Sequence, residues 1–186
     1  MGHHTFDADR AATLEAPEQR YRVLSAEELR WALDCAADDT VVDLGSGTGF
    51  YTDDVAADTG EVYAVDLQPE MHDFYREKGV PSNVELVTAP VDEMPLDTGS
   101  ADRAFSTMTY HEFATAAAIE EIRRVLRPGG RLVIADWAAN GEGEQGPPLA
   151  ERYALTDAVE MLCEHGFSVE FEAARPETYL LVATAD

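Results

Sequence analysis

Lysine is nearly absent from this chain: among its 13 basic residues only Lys78 is a lysine, against 37 aspartates and glutamates. The resulting formal net charge of −24 repels nucleic acid and anionic membranes in dilute buffer, so we expect neither as a partner. Acidic residues scattered over every segment are also typical of proteins from a salt-saturated cytoplasm, where the Debye length is about 3 Å. We therefore interpret the charge as a halophilic, solvated surface.

Cysteine and long apolar runs are scarce as well. Cys35 and Cys163 lie far apart and form no C-x-x-C pair, so we expect reduced, buried thiols and neither a disulfide framework nor a metal site. No apolar run approaches 18 residues, and the first ten residues lack the apolar segment of a secretion signal. We expect a cytoplasmic protein. For His3 and His4 two alternatives stay open, a metal-binding tail and a disordered terminus.

One glycine-rich stretch, VVDLGSGTG at 41–49, predicts a ligand site. Residues 41–44 form a short apolar run that suits a buried strand, interrupted by Asp43. Gly45, Gly47 and Gly49 have no Cβ, so the backbone there can approach a ligand closely. A strand, a glycine turn and a helix start at 50–57 place free N–H groups at the carboxyl edge of a sheet. Open α/β folds bind nucleotide-like ligands at that edge.

The spacing of these glycines narrows the classes of ligand that this turn could bind. The dinucleotide fingerprint needs a third glycine three residues after its second, whereas this turn is G-x-G-x-G. Asp43 would repel a diphosphate and suits a cationic ligand instead. The pattern D-x-G-x-G-x-G after a first strand resembles motif I of the class I S-adenosylmethionine-dependent methyltransferases. The cofactor of that family carries an ammonium and a sulfonium and no phosphate.

Strand and helix patterns alternate along the rest of the chain. The predicted strands are Val41–Leu44, Glu61–Val65, Asn83–Thr88, Ala101–Thr107, Arg131–Ala135, Phe167–Glu172 and Tyr179–Thr184. The predicted helices are Ala8–Glu15, Ala26–Ala36, Phe50–Ala57, Pro69–Lys78, Ala114–Leu126 and Thr156–His165. Strands separated by helices pair in parallel, and the last two strands can form only an antiparallel hairpin. We predict a Rossmann-like α/β fold, with a seven-stranded mostly parallel sheet, an antiparallel last strand and helices on both faces.

Acidic residues that follow the second and third strands are candidates for the nucleoside part of the ligand. Asp66 ends the second strand, where a carboxylate can accept both ribose hydroxyls, and the alternative is a loop-capping role. Leu67 and Met71 are candidates to flank the adenine. Asp92 and Glu93 follow the third strand, and either could take the adenine amino group or be an exposed acid.

The end of the fourth strand supplies the candidate catalytic residues. Polar and aromatic side chains there face the ligand crevice. His111 has a pKa suited to removing a proton from an acceptor, and the alternative is a cap on the following helix. We expect Glu112 to orient His111, Tyr110 to lie near the sulfonium through a cation–π contact, and Met108 to contact the cofactor.

A long loop, residues 138–153, follows Asp136 and Trp137 at the end of the fifth strand. It exceeds the length of a plain connection, and such loops over a ligand edge are often lids. Its glycine, proline and acidic content also fits disorder. We expect it to contact the substrate.

Nearly the whole chain resembles the small class I methyltransferases related to the ubiquinone/menaquinone-biosynthesis enzymes. The motifs that carry the resemblance are DLGSGTG at 43–49, VYAVD at 62–66, MPLDTGSAD at 94–102, YHEF at 110–113 and RVLRPGGRLVIADW at 124–137. FDADR at 6–10, LEAPE at 14–18 and GPPLAER at 146–152 resemble a compact prokaryotic subgroup. After the third strand, APV at 89–91 replaces the usual Gly-Asp-Ala type of turn, which leaves the adenine contact open.

The resemblance implies S-adenosyl-L-methionine as the cofactor. Its methionine part would lie on the turn formed by Gly45, Ser46, Gly47 and Gly49, and its ribose on Asp66. We expect methyl transfer to a small-molecule acceptor, with a nicotinamide-dependent oxidoreductase and a non-catalytic S-adenosylmethionine-binding protein as alternatives. We expect one domain over 1–186, made of a helical cap at 1–38 and a cofactor-binding core at 39–186. It would be a monomer or a homodimer.

Overall fold

The computed structural model describes residues 6–186, so the tail with His3 and His4 lies outside the described residues. A single seven-stranded sheet organises these residues, in the order β3-β2-β1-β4-β5-β7-β6. Its strands are β1 (Thr40–Leu44), β2 (Glu61–Asp66), β3 (Val84–Thr88), β4 (Ala101–Thr107), β5 (Leu126–Trp137), β6 (Phe167–Ala174) and β7 (Thr178–Ala185). Strands β1 to β5 pair in parallel, and β7 runs antiparallel to both of its neighbours. The predicted fold class is confirmed.

Within residues 6–186, seven α-helices and two 3-10 helices surround the sheet. The α-helices are α1 (Pro17–Val23), α2 (Ala26–Leu33), α3 (Phe50–Ala56), α4 (Pro69–Lys78), α5 (Tyr110–Phe113), α6 (Ala116–Val125) and α7 (Leu155–Glu164). The 3-10 helices are Ala8–Glu15 and Leu149–Glu151. No helix within 6–186 has the length and apolar character needed to cross a membrane.

Alternate strand residues build a core on each face of the sheet. Val42 packs in one cluster with Ile119 of α6 and Leu162 of α7. Its neighbour Val41 packs on the opposite face with Leu29 of α2. Each of these side chains is at most 1% exposed, and burying one stabilises the fold by about 1.5–3 kcal/mol. The two covered faces leave the carboxyl edge of the parallel strands as the place where loops converge.

The start of the chain differs from its predicted form. Residues 8–15 form a 3-10 helix, and an α-helix that the sequence did not predict begins at Pro17. Proline ended the predicted helix, but its fixed φ and missing N–H also suit the first position of a new one. A capping box of Ser25 and Glu28 begins α2, which ends earlier than expected, at Leu33.

The segment around 114–130 also differs. Thr115 caps α6, its hydroxyl accepting a hydrogen bond from the N–H of Ala118 at 3.2 Å, so the helix predicted over 114–126 begins at Ala116. The short helix α5 before it was not predicted. Strand β5 begins at Leu126, which pairs with Ala101, and the pairing resumes between Arg131 and Arg103. The residues between are therefore an irregularity within a strand rather than a turn that precedes one.

Both cysteines are free, and Cys163 is exposed on α7 rather than buried as expected. Cys35 is half-buried, and burial raises the pKa of its thiol to about 11. The described residues contain no group of three or more His, Cys, Asp or Glu side chains placed to hold a metal ion.

Candidate active site

A cavity of about 240 Å³ opens at the carboxyl edge of the sheet. The glycine turn, the end of β2, the loop after β3 and the α5–α6 region form its walls. The N-terminal segment covers it. The residues that line it are Phe6, Leu14, Gly45, Gly47, residues 66–68, Met71, residues 89–92, Thr109, Glu112, Phe113, Thr115 and Ala118. Loops from separate strands thus meet around one volume, as expected where an open α/β sheet binds a ligand.

The three glycines of the turn have different neighbours, although each has a positive φ between 54° and 78°. A Cβ on Gly45 would lie 2.3 Å from Thr109 Cγ2, and one on Gly49 would lie 2.0 Å from Tyr75 Cε1. A Cβ on Gly47 would meet only Leu14 Cδ1, at 3.6 Å. Gly45 and Gly49 are therefore required by packing, whereas Gly47 presents its backbone to the cavity.

Asp66 is held at the cavity wall by two backbone groups. The N–H of Gly47 donates to its Oδ2 and the N–H of Gln68 to its Oδ1, both at 2.8 Å. Burial raises the pKa of Asp66, although these two hydrogen bonds act in the opposite direction. Each oxygen keeps a lone pair, so the carboxylate can still accept hydrogen bonds from a vicinal diol.

The apolar part of the cavity lies beside Asp66. Leu67, Met71 and Val91 line it, and Leu67 is 55% exposed. Of the two acidic candidates that follow β3, Asp92 lines the cavity and Glu93 does not. This wall could hold a flat apolar ring with one acceptor at its margin.

Asp43 and Ser46 lie behind the wall rather than on it. Asp43 is 1% exposed, and its Oδ2 accepts a 2.6 Å hydrogen bond from the hydroxyl of Thr52 on α3. Its Oδ1 and the Ser46 Oγ are buried without a hydrogen-bond partner within 6–186. Burial raises the pKa of Asp43 to about 7, with the Asp66 charge adding to the shift and the Thr52 hydroxyl opposing it.

His111 is the second residue of α5; it does not line the cavity, although its neighbour Glu112 does, and it pairs with Asp136 at the end of β5. Its Nδ1 lies 3.0 Å from Asp136 Oδ1, and its backbone N–H donates to Asp136 Oδ2 at 2.7 Å. Asp136 is fully buried, so this pair fixes the ring. Burial acts to lower the pKa of His111, but the hydrogen bond and charge of Asp136, with the charges of Glu112 and Glu151, outweigh it and raise the pKa. An imidazole held in this way by a carboxylate suits a proton acceptor.

Two other candidates near His111 are placed differently from the prediction. Glu112 does not orient His111; it lines the cavity and accepts a hydrogen bond from the N–H of Phe6. Burial raises the pKa of Glu112 to about 7, and the His111 charge opposes the shift. Tyr110 is 1% exposed and packs edge-on against Phe113 and Tyr153. Its ring belongs to the core because it begins α5 on the face turned to the sheet.

Met108, the predicted cofactor contact after β4, also lies off the cavity. Its side chain packs against the core on the α2 side of the sheet. Its φ is 61°, and its N–H donates to the carbonyl of Ala135 at 2.7 Å. The neighbouring Thr109 takes its place at the wall, where its hydroxyl donates to the carbonyl of Gly45 at 3.3 Å.

The N-terminal segment closes the cavity through contacts at both of its ends. The side-chain amide of Gln68 donates to the carbonyl of Phe6 at 2.9 Å. Glu15 accepts from the hydroxyl of Thr48 in the glycine turn and pairs with Lys78 at 3.2 Å. Lys78, the only lysine of the chain, therefore links the N-terminal segment to α4. No local sequence signal could reveal this contact.

The long loop at 138–153 contributes nothing to the cavity wall. Arg152 organises it, donating to the carbonyls of Pro147 at 2.9 Å and Gln145 and pairing with Glu177 at 2.9 Å. Its guanidinium lies 5.4 Å from the centroid of the Trp137 ring. The loop therefore lies off this cavity, and its contact with a substrate stays a prediction.

Comparison with known proteins identifies the family. A model described as "Methyltransferase domain" matches residues 42–134, half of the chain. The chain belongs to this methyltransferase family. It is 35% identical over 151 residues to an uncharacterized methyltransferase of Mycobacterium bovis, covering 75% of this chain and 60% of that relative. Against the ubiquinone/menaquinone biosynthesis C-methyltransferase of an Enterobacter species, it is 32% identical over 120 residues, 59% of this chain and 48% of that protein.

A solved structure of similar size shares the whole fold of this family member. The crystal structure of a SAM-dependent methyltransferase from Aquifex aeolicus superposes with a TM-score of 0.89 at 28% identity. The match covers 98% of this chain and all of that one. The cavity described above thus lies in a fold shared with a SAM-dependent methyltransferase. The chain spans about 60% of the length of the mycobacterial relative.

Proposed function

We propose that the chain is an S-adenosylmethionine-dependent methyltransferase that acts on a small-molecule acceptor and releases S-adenosylhomocysteine. The observation that carries the proposal is the contact of the glycine turn with Asp66, which places a carboxylate with free lone pairs at the margin of an apolar cavity. Membership of the methyltransferase family and the absence of a third dinucleotide glycine support it. When bound, the cofactor would supply a methyl group on a positively charged sulfur.

The residues at the wall suit a nucleoside without phosphates. Asp66 would hold the ribose hydroxyls, and Leu67 and Met71 would flank the adenine, with Asp92 at its amino group. The unpartnered Oδ1 of Asp43 fits an ammonium group close to the turn, because a buried carboxylate oxygen is stabilised by a cationic donor. Phosphate would meet three carboxylates here and no lysine or arginine along the wall.

His111 is the proposed base for the acceptor. Asp136 would hold the ring with Nε2 as the free nitrogen, and Asp136 would act as a positioning residue. The main contribution of the site would be alignment of acceptor and methyl group, an effect worth as much as about 7–11 kcal/mol. Removal of an acceptor proton by His111 would add about 10²–10⁴-fold in rate.

Turnover of methyl-labelled S-adenosylmethionine tests the proposal. The small-molecule fraction of a cell extract, in molar potassium chloride, would supply the acceptor. We expect labelled product from the wild-type protein and a loss of at least about 100-fold with His111→Ala, at unchanged affinity for S-adenosylhomocysteine. His165→Ala, which removes a histidine from the distant end of α7, is the matched control and should keep full activity. Full activity of His111→Ala would remove the base, and no product from any extract would favour a non-catalytic binding protein.

We also propose a single domain, with residues 1–38 as a cap over the core at 39–186, in a protein that works in a concentrated-salt cytoplasm. Phe6 and Leu14 at the cavity wall support the cap, and the excess of acidic over basic residues supports the salt adaptation. Circular dichroism in increasing potassium chloride should show the fold gaining stability up to molar salt.

A further inference from the structure

Three buried polar atoms around the glycine turn have no hydrogen-bond partner among residues 6–186. They are Arg20 Nε, Asp43 Oδ1 and Ser46 Oγ. Together they offer a cationic donor, an anionic acceptor and a hydroxyl. Buried polar groups are almost always paired in folded proteins, so a set of complementary unpaired groups at one place points to a ligand.

Arg20 lies on α1 and is held firmly at this position. Its guanidinium carbon is 4.7 Å from the centroid of the Tyr51 ring and 5.6 Å from that of Phe50. The Tyr51 hydroxyl donates to the Arg20 carbonyl at 2.9 Å, which ties α1 to α3. Since Phe50 and Tyr51 directly follow Gly49, this packing places Arg20 next to the glycine turn.

Within the part of the chain that the structure describes, no acid forms a hydrogen bond with the Arg20 guanidinium. Asp43 and Glu15 act on it through their charge alone, and burial lowers its pKa. Glu15 already bonds Thr48 and Lys78, and Asp43 bonds Thr52. Arg20 is half-buried, and leaving its buried Nε without an acceptor costs free energy, so the position favours an anionic ligand group.

We propose that Arg20 binds the carboxylate of the methionine part of the cofactor, opposite Asp43, which takes its ammonium. The inference rests on the proposed function. An amino-acid zwitterion has a carboxylate for Arg20 and an ammonium group for Asp43. An arginine can bind a carboxylate through two parallel hydrogen bonds, in bidentate geometry. Arg20 is not among the residues that line the cavity around Asp66, where the adenosine would lie. The two ends of the cofactor would thus be recognised by different parts of the chain, the core and the cap.

Binding of two nucleosides by calorimetry, in molar potassium chloride, tests this role. S-adenosylhomocysteine carries the amino-acid group, and 5′-methylthioadenosine shares its adenosine and sulfur but lacks that group. We expect Arg20→Met to weaken S-adenosylhomocysteine binding at least about tenfold, about 1.4 kcal/mol, and to leave methylthioadenosine binding within about twofold. Arg22→Met, an exposed arginine on the same helix, should change neither affinity.

Equal losses for both ligands, or no loss for either, would overturn the assignment of Arg20, because a merely structural role does not distinguish the ligands. If the wild-type protein bound neither nucleoside, the proposed function itself would fail. Should Arg20→Met not fold, the wild-type protein provides the same test with decarboxylated S-adenosylmethionine. We expect that ligand to bind at least about tenfold more weakly than S-adenosylmethionine, and equal affinity would contradict the role of Arg20.

Discussion

Two glycine-rich loops leave the carboxyl edge of the sheet, and they differ in where their polar groups point. The turn after β1, residues 45–49, places Gly47 at the cavity and gives its N–H to Asp66. The loop after β5, residues 138–153, turns its carbonyls inward to Arg152. Glycine content therefore does not by itself predict a ligand loop. A loop binds ligands only where its neighbours leave backbone and side-chain groups available.

Gly49→Ala, in the first loop, should cause the largest loss of stability. A Cβ there would lie 2.0 Å from the Tyr75 ring at a φ of 78°, so ring and turn must both move. We expect the free energy of unfolding to fall by about 4 kcal/mol in chemical denaturation. Gly47→Ala is the matched control, since its Cβ would meet only Leu14 at 3.6 Å, and it should cost about 1 kcal/mol. Equal costs for the two variants would contradict the packing role of Gly49.

Arg152→Met should break the second loop without affecting the first. Removal of the guanidinium leaves the carbonyls of Ala138, Gln145 and Pro147 without their donor, which we expect to cost about 2–3 kcal/mol of unfolding free energy. Affinity for S-adenosylhomocysteine should not change, because the loop does not line the cavity. A tenfold loss of affinity in a folded variant would show that the loop contacts the ligand after all.

Glu112→Gln tests the cavity wall near the first loop through the pH dependence of stability. Because the folded pKa of Glu112 is raised to about 7 from 4.5, the folded state holds a proton that the unfolded state releases. The stabilisation from the neutral acid is complete below the unfolded pKa and is lost as pH rises through the folded pKa. Between pH 4.5 and 7.5 the stability of the wild type should fall by about 2 kcal/mol relative to Glu112→Gln. Parallel pH profiles of the two proteins would contradict the raised pKa.

Asp66→Ala tests the ligand contact of the first loop, with the smallest expected effect. We expect cofactor binding to weaken at least about tenfold, about 1.4 kcal/mol. Asp66→Asn keeps one acceptor oxygen and should lose less. Unchanged affinity in Asp66→Ala would remove the ribose assignment.

The sheet was predictable because its signals are local. The apolar run at 41–44 and the short connection between β6 and β7 determine strand identity and the antiparallel end of the sheet. The helix starting at Pro17 was not predicted because a proline can either end or begin a helix. The early start of β5 was not predicted because the pairing of Leu126 with Ala101 is a long-range contact.

The candidate site was predictable only where its residues follow strands directly. Asp66 and Gly47 carry such a signal, and both line the cavity. Asp136 ends β5, but its pairing with His111 depends on how β4 and β5 align, which no spacing in the chain reveals. Phe6 and Leu14 begin the FDADR and LEAPE motifs, but their position over the cavity depends on tertiary packing, which neither motif reveals. The position of Arg20 on α1 depends on tertiary packing in the same way.

Isothermal titration with S-adenosylmethionine and with NAD, in molar potassium chloride, tests the account most directly. The account predicts saturable binding of S-adenosylmethionine and none of NAD, since Asp66, Asp92 and Glu112 at the cavity wall repel a diphosphate. Tight binding of NAD without binding of S-adenosylmethionine would contradict it.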